Sequence, residues 1–168
     1  MYFYNVVSTI PFDKVSNKIL KQVSMAATIA EESDFDSSKR LGASLEYKGY
    51  YFYGSNSHRN RVGKIDCISL HAEVNVLTKA LKKFEKNANL KSKTKLPPST
   101  MYVVRLMRKK ENLPSYRSYF FGISKPCADC QKKLYNFNVT RIFYTDIKDG
   151  REVICEMKIN KRNSKDIS

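Results

Sequence analysis

Cys127 and Cys130 stand three positions apart in "SKPCADCQKKL", directly after Pro126. That spacing suits a redox dithiol, half of a structural zinc site, or part of a catalytic metal centre. The choice turns on what else in the chain could share an ion. His71 and Glu73 lie two residues apart in "SLHAEVNVL", and a redox pair needs neither of them. A catalytic zinc takes three protein ligands and leaves its fourth position to water, and one His with two Cys is among its usual sets. His71, Cys127 and Cys130 supply that set. Glu73 is near enough to reach a metal-held water and is better used as a proton carrier than as a ligand.

Both groups fall where helices are expected to begin. From Ala72 to about Lys86, Ala72, Val76, Leu77, Ala80, Leu81 and Phe84 form an apolar stripe, with Lys79, Lys82, Lys83 and Lys86 on the outer face. His71 and Glu73 therefore open one helix. A shorter helix is predicted from Cys127 to about Phe137. Its cysteines, at i and i+3 on the first turn, point the same way, and the positive helix end favours their thiolates. Upstream, Val15, Ile19, Leu20, Val23, Ala26, Ala27 and Ala30 recur at helical spacing until "SDFDSS" breaks the run. "LGASLEYKGYYFYGSN" reads as a hairpin turning at Lys48 and Gly49, "MYVVRLM" as a buried strand, and "SYFFGIS", beyond the polar segment "RKKENLPSYR", as an extension of the same sheet. "RIFYTD" and "REVICEMKI" are strands joined by the turn "IKDG". This alternation predicts an α/β fold, a mixed sheet with helices on both faces and a ligand site outside the carboxyl ends of strands.

With 168 residues, 42% of them hydrophobic, the chain has enough for one core and little more. We place one domain over residues 1–159 and a flexible basic tail, "NKRNSKDIS", over 160–168. No apolar run approaches the roughly 20 residues needed to span a bilayer, and the opening lacks the marks of a secretion signal. A cytoplasmic protein with no membrane partner is expected, its four cysteines reduced. The 31 Lys and Arg against 16 Asp and Glu give a net charge of +15, enough to attract polyanions. These residues are mostly lysine and spread along the chain, in a composition that an AT-rich genome produces by codon bias. The charge is therefore read as compositional, with nucleic acid kept as an alternative partner.

His71-Ala72-Glu73 followed by Pro126-Cys127-x-x-Cys130 resembles the zinc-dependent cytidine and deoxycytidylate deaminase superfamily, from about Arg40 to Ile159. The resemblance implies a cytidine deaminase-like three-layer α/β/α sandwich on a roughly five-stranded sheet. It implies Zn2+ on His71, Cys127 and Cys130, with Glu73 moving protons during hydrolysis of a cytosine nucleotide or nucleoside to its uracil product and ammonia. In such an enzyme the Ala72 backbone N–H holds the base carbonyl and the Lys125 carbonyl faces the leaving amino group. Asn56 would meet sugar or base, and Arg59 or Arg61 a phosphate. A homo-oligomer is compatible with the resemblance. Cys67 and Cys155 are expected to be spare buried thiols.

The chain departs from the family pattern in three ways. His58 stands in "NSH" where nucleoside-type relatives carry Glu, the chain turns straight back after "RIFYTD" without another helix, and long loops at 87–99 and 108–118 widen the His71–Cys127 spacer. Two alternatives stay open: a deaminase acting on a base within RNA or DNA, tRNA adenosine included, and a non-catalytic zinc-stabilised nucleic-acid-binding module. Glu73 counts against the second, since structural zinc has no use for it.

Overall fold

The computed structural model describes residues 3–35, 39–58, 69–86, 98–108 and 119–160. Among the described residues, three α-helices pack on a seven-stranded sheet. The main path runs β1 (Tyr4–Pro11), β9 (Arg151–Ile159), β8 (Val139–Lys148), β6 (Ser99–Arg108), β2 (Arg40–Tyr47), β3 (Tyr50–Ser55), with β7 (Tyr119–Gly122) also paired to β6. β6 and β8 are parallel and every other pairing in this sheet is antiparallel, including the final β8–β9 hairpin. The sequence reading expected about five strands. β7, from the "SYFFGIS" segment expected to extend the sheet, does so on β6, and β1 is the strand not foreseen. β1 escaped because it is an edge strand with a register shift between Val6 and Ser8, so its side chains do not alternate cleanly between core and solvent. A separate two-residue pairing joins β4 (Ser57–His58) to β5 (Ser69–Leu70).

The two faces are built differently. α1 (Asn17–Glu31), capped by Ser16, lays Val23, Ala26 and Ala30 on Val104, Leu106, Phe143 and Ile154. Its approach is very close: a Cβ at Gly42 would stand 1.9 Å from the Ala26 carbonyl oxygen, so the strand needs glycine there. α2 (Ala72–Lys86) and α3 (Ala128–Asn136) cover the other face, where Ala72, Val76, Leu77, Ala80 and Leu134 pack on Ala43, Leu45, Met101 and Val103. The hairpin turn is where the sequence put it. Lys48 and Gly49 both have positive φ, 43° and 78°, the pattern of a type I′ turn whose twist suits the strands.

Cys155 is buried in the core, as expected. Arg59, Arg61, Cys67, the loop residues 87–97 and 109–118, and the tail from 161 lie outside the described residues. Among the described residues no helix is long and apolar enough to cross a membrane.

Candidate active site

The two helix starts meet on the α2–α3 face. His71 precedes α2, and its carbonyl accepts the Asn75 N–H at 3.0 Å. The start of α2 is seated on β3 by close packing: a Cβ at Gly54 would meet Val76 Cγ2 at 3.0 Å, and Asn75 Nδ2 donates to the Ser55 carbonyl at 2.9 Å. Cys127 is the N-cap of α3, where its Sγ accepts the Cys130 N–H at 3.4 Å.

The approach to Cys127 is held by buried hydroxyls. Ser124 N–H donates to the Thr145 carbonyl and Thr145 N–H to Ser124 Oγ, both at 2.9 Å. Ser124 Oγ donates to the Val103 carbonyl at 2.7 Å, and Thr145 Oγ1 to the Gly122 carbonyl at 2.8 Å. The loop into α3 is thereby tied to β6 and β8 together. Beyond it, Gln131 Nε2 donates to the Pro126 carbonyl at 2.8 Å, fixing the first turn.

His71 Nδ1 lies 3.2 Å from Cys130 Sγ and 3.8 Å from Cys127 Sγ, and the three donor atoms are all within 4.8 Å of one another. Zinc bonds of about 2.0 Å to nitrogen and 2.3 Å to sulfur at tetrahedral angles place N and S about 3.5 Å apart. The two observed nitrogen–sulfur distances bracket that value, so the donor set fits zinc. Among the described residues no fourth His, Cys, Asp or Glu joins the cluster. Burial, with Glu73 and Cys127 beside it, pushes the Cys130 thiol up from its ordinary value, so its thiolate needs a cation close by.

Glu73, only 3% exposed, borders the same cleft. Burial raises its pKa, outweighing the opposing pull of its own backbone N–H and of His71. A carboxyl held this way takes and returns protons more readily than one in water. The cleft has a volume of about 370 Å³, and His71, Ala72, Lys125 and Cys127 also line it. It opens beside Arg105 near the carboxyl end of β6, the expected end of the sheet.

Asn56 stands on the cleft wall, and its amide ties the wall together. Its Oδ1 accepts from Ser33 Oγ at 2.7 Å and Leu41 N–H at 2.8 Å, while Nδ2 donates to the Lys39 carbonyl at 2.7 Å. The structure thus brings His71, Ala72, Glu73, Lys125, Cys127 and Asn56 to one cleft. Sequence reasoning missed Phe35, Lys39, Arg105 and Ser124, which line it too. Arg105 had a signal: a lone charge within the apolar run "MYVVRLM".

A three-layer α/β/α fold with a His-Cys-Cys cluster at two helix starts has the donor set of a zinc centre. The chain belongs to the family of the cytidine and deoxycytidylate deaminase zinc-binding region, whose model matches residues 16–146. The match takes in α1, upstream of the Arg40 boundary expected from the motifs, and stops before β9. Solved structures of the same fold include a cytidine deaminase from Burkholderia pseudomallei, 17% identical with a TM-score of 0.53 over 83% of this chain and 91% of that one. Another is the dCMP deaminase of cyanophage S-TIM5, 19% identical with a TM-score of 0.51 over 81% and 89% of the two chains. That enzyme in complex with dCMP and dUMP matches at 18% identity and a TM-score of 0.50, over 79% and 84%. No curated protein sequence matches the chain.

Proposed function

We propose that the protein hydrolyses the exocyclic amine of a cytosine nucleotide or nucleoside, giving the uracil product and ammonia. The observation that carries this reading is the buried Glu73 carboxylate in the cleft lined by His71 and Cys127, which converge with Cys130 as zinc donors. Zinc, when bound, is a Lewis acid that makes water nucleophilic near neutral pH. Every other part is played by the chain. Glu73 takes a proton as water adds to the ring carbon that bears the amino group, and delivers it to the adjacent ring nitrogen. A second proton passes through Glu73 from the new hydroxyl to the amine. The carbon–nitrogen bond then breaks, ammonia leaves and the carbonyl forms.

The remaining contacts orient the base. The Ala72 N–H, at the first turn of α2 where helix donors lack intrahelical partners, would hold the base carbonyl. The Lys125 carbonyl would face the departing amine, and Asn56 would meet sugar or base from the cleft wall. Arg59 is retained from the sequence as a candidate phosphate contact. Ammonia release from cytidine, deoxycytidine, their 5′-monophosphates and a cytosine-containing oligonucleotide tests the reading. Turnover of the small substrates supports it, and turnover of the oligonucleotide alone overturns it.

A further inference from the structure

Lys39, Arg105 and Lys125 all line the cleft that holds His71, Glu73 and Cys127, and Glu73 is the only carboxylate among its described lining residues. We propose that these three cations are a phosphomonoester site, so that the substrate is a pyrimidine nucleoside monophosphate rather than the free nucleoside. The inference rests on the deaminase reading for the reaction but not for the binding chemistry.

Arg105 owes its place to strand alternation. On β6, Met101 and Val103 are buried on the face covered by α2 and α3, whereas Tyr102, Val104 and Leu106 pack under α1. Arg105 is next on the α2–α3 face, beyond the last buried residue of that row. It is paired to Leu41 on β2 and Gly122 on β7, both sides of its backbone held in the sheet. A Cβ at Gly122 would come within 3.3 Å of Arg105 Cδ, so the stem of the arginine runs across the Gly122 backbone. A stem so confined loses little freedom when its planar fork engages the oxygens of a phosphate.

The two lysines sit on anchored backbone. The Lys39 carbonyl accepts from Asn56, and Lys125 follows Ser124 with its bonds to β6 and β8. Charge and size then select the ligand. A phosphomonoester carries about −1.5 to −2 near neutral pH, which two or three cations balance. A nucleoside brings no charge to meet them. A cleft of about 370 Å³ is of small-molecule size, which favours one nucleotide over a polymer.

Titration calorimetry of the zinc-loaded protein tests this with ligands that cannot react. Uridine 5′-monophosphate is expected to bind at least about tenfold more tightly than uridine, from one or more charge-assisted hydrogen bonds. That ratio should fall toward one in Arg105→Met, with Arg105→Lys keeping part of it. Should Arg105→Met fail to fold, Lys39→Ala and Lys125→Ala carry the test at exposed positions. Equal affinity for the two ligands, or a preference untouched by all three substitutions, overturns the site. Competition by an oligouridylate without terminal phosphate that matches the monophosphate overturns the mononucleotide assignment. A nucleotide preference in a protein that releases no ammonia keeps the site and removes the reaction. Deamination without nucleotide preference does the reverse.

Discussion

The two helix starts that supply the metal donors are anchored by different physics. α3 is held by polar bonds, since Ser124 and Thr145 tie its entry loop to β6 and β8 inside the protein. α2 is held mainly by fit, with Val76 against Gly54, one amide bond from Asn75 to Ser55 and an exposed bond from Lys79 Nζ to the Tyr53 carbonyl. A buried hydroxyl that loses its partner leaves other groups unsatisfied, whereas a packed contact relaxes in part. Register at the cysteines should therefore be the more brittle of the two. The comparison also assigns labour: His71 and Glu73 stand at the start of a helix placed by the sheet's shape, the cysteines at the start of one whose entry loop is placed by hydrogen bonds.

Substitution of a donor has the largest expected effect. Cys130→Ser should bind zinc far more weakly and lose turnover by several orders of magnitude, measured by metal content and ammonia release on the same sample. Retained stoichiometric zinc in that variant would break the assignment of the α3 start. Next is Thr145→Val, which keeps shape but strips hydrogen bonds from the Gly122 carbonyl and the Arg105 N–H. A loss of about 2 kcal/mol in denaturant unfolding is expected, with weaker zinc binding. Asn75→Ala, removing one half-buried bond on the α2 side, should cost only about 1 kcal/mol. If it costs more than Thr145→Val, the ranking of the two anchors is reversed.

The smallest effect comes from the opposite face of the sheet. Burial of Glu156 works against its charge, but the hydrogen bond and charge of Arg141, with Ser8 and Lys158, outweigh it and lower its pKa. A carboxylate with a lowered folded pKa stabilises above its unfolded value of about 4.3, and that contribution is lost as pH falls through the folded one. Unfolding free energy should thus decline over that acidic window, and Glu156→Gln should flatten the decline. A decline unchanged in Glu156→Gln would show that other groups cause it.

What the sequence disclosed follows from the range over which each feature is encoded. His71, Glu73, Cys127 and Cys130 were legible as a set because residue type and spacing mark them, and α1 and α2 because their apolar stripes are local. Arg105, Ser124 and Thr145 were not, because their roles arise from pairing across strands: Arg105 sits opposite Gly122, and Thr145 Oγ1 reaches it through its N–H. β1 was hidden for the same reason, its strand character coming from β9. The three bonds of Asn56, to Ser33, Leu41 and Lys39, likewise join segments that only the hairpin brings together.

The central claim is that Glu73 moves protons beside a metal held by three other residues, and Glu73→Gln separates the two roles. Its zinc content and its single-turnover deamination rate should be measured together on the substrate that the wild type turns over fastest. The account predicts full zinc with a rate lower by on the order of 10² to 10⁴ or more, since an amide cannot carry the proton. A wild-type rate in zinc-loaded Glu73→Gln would contradict it.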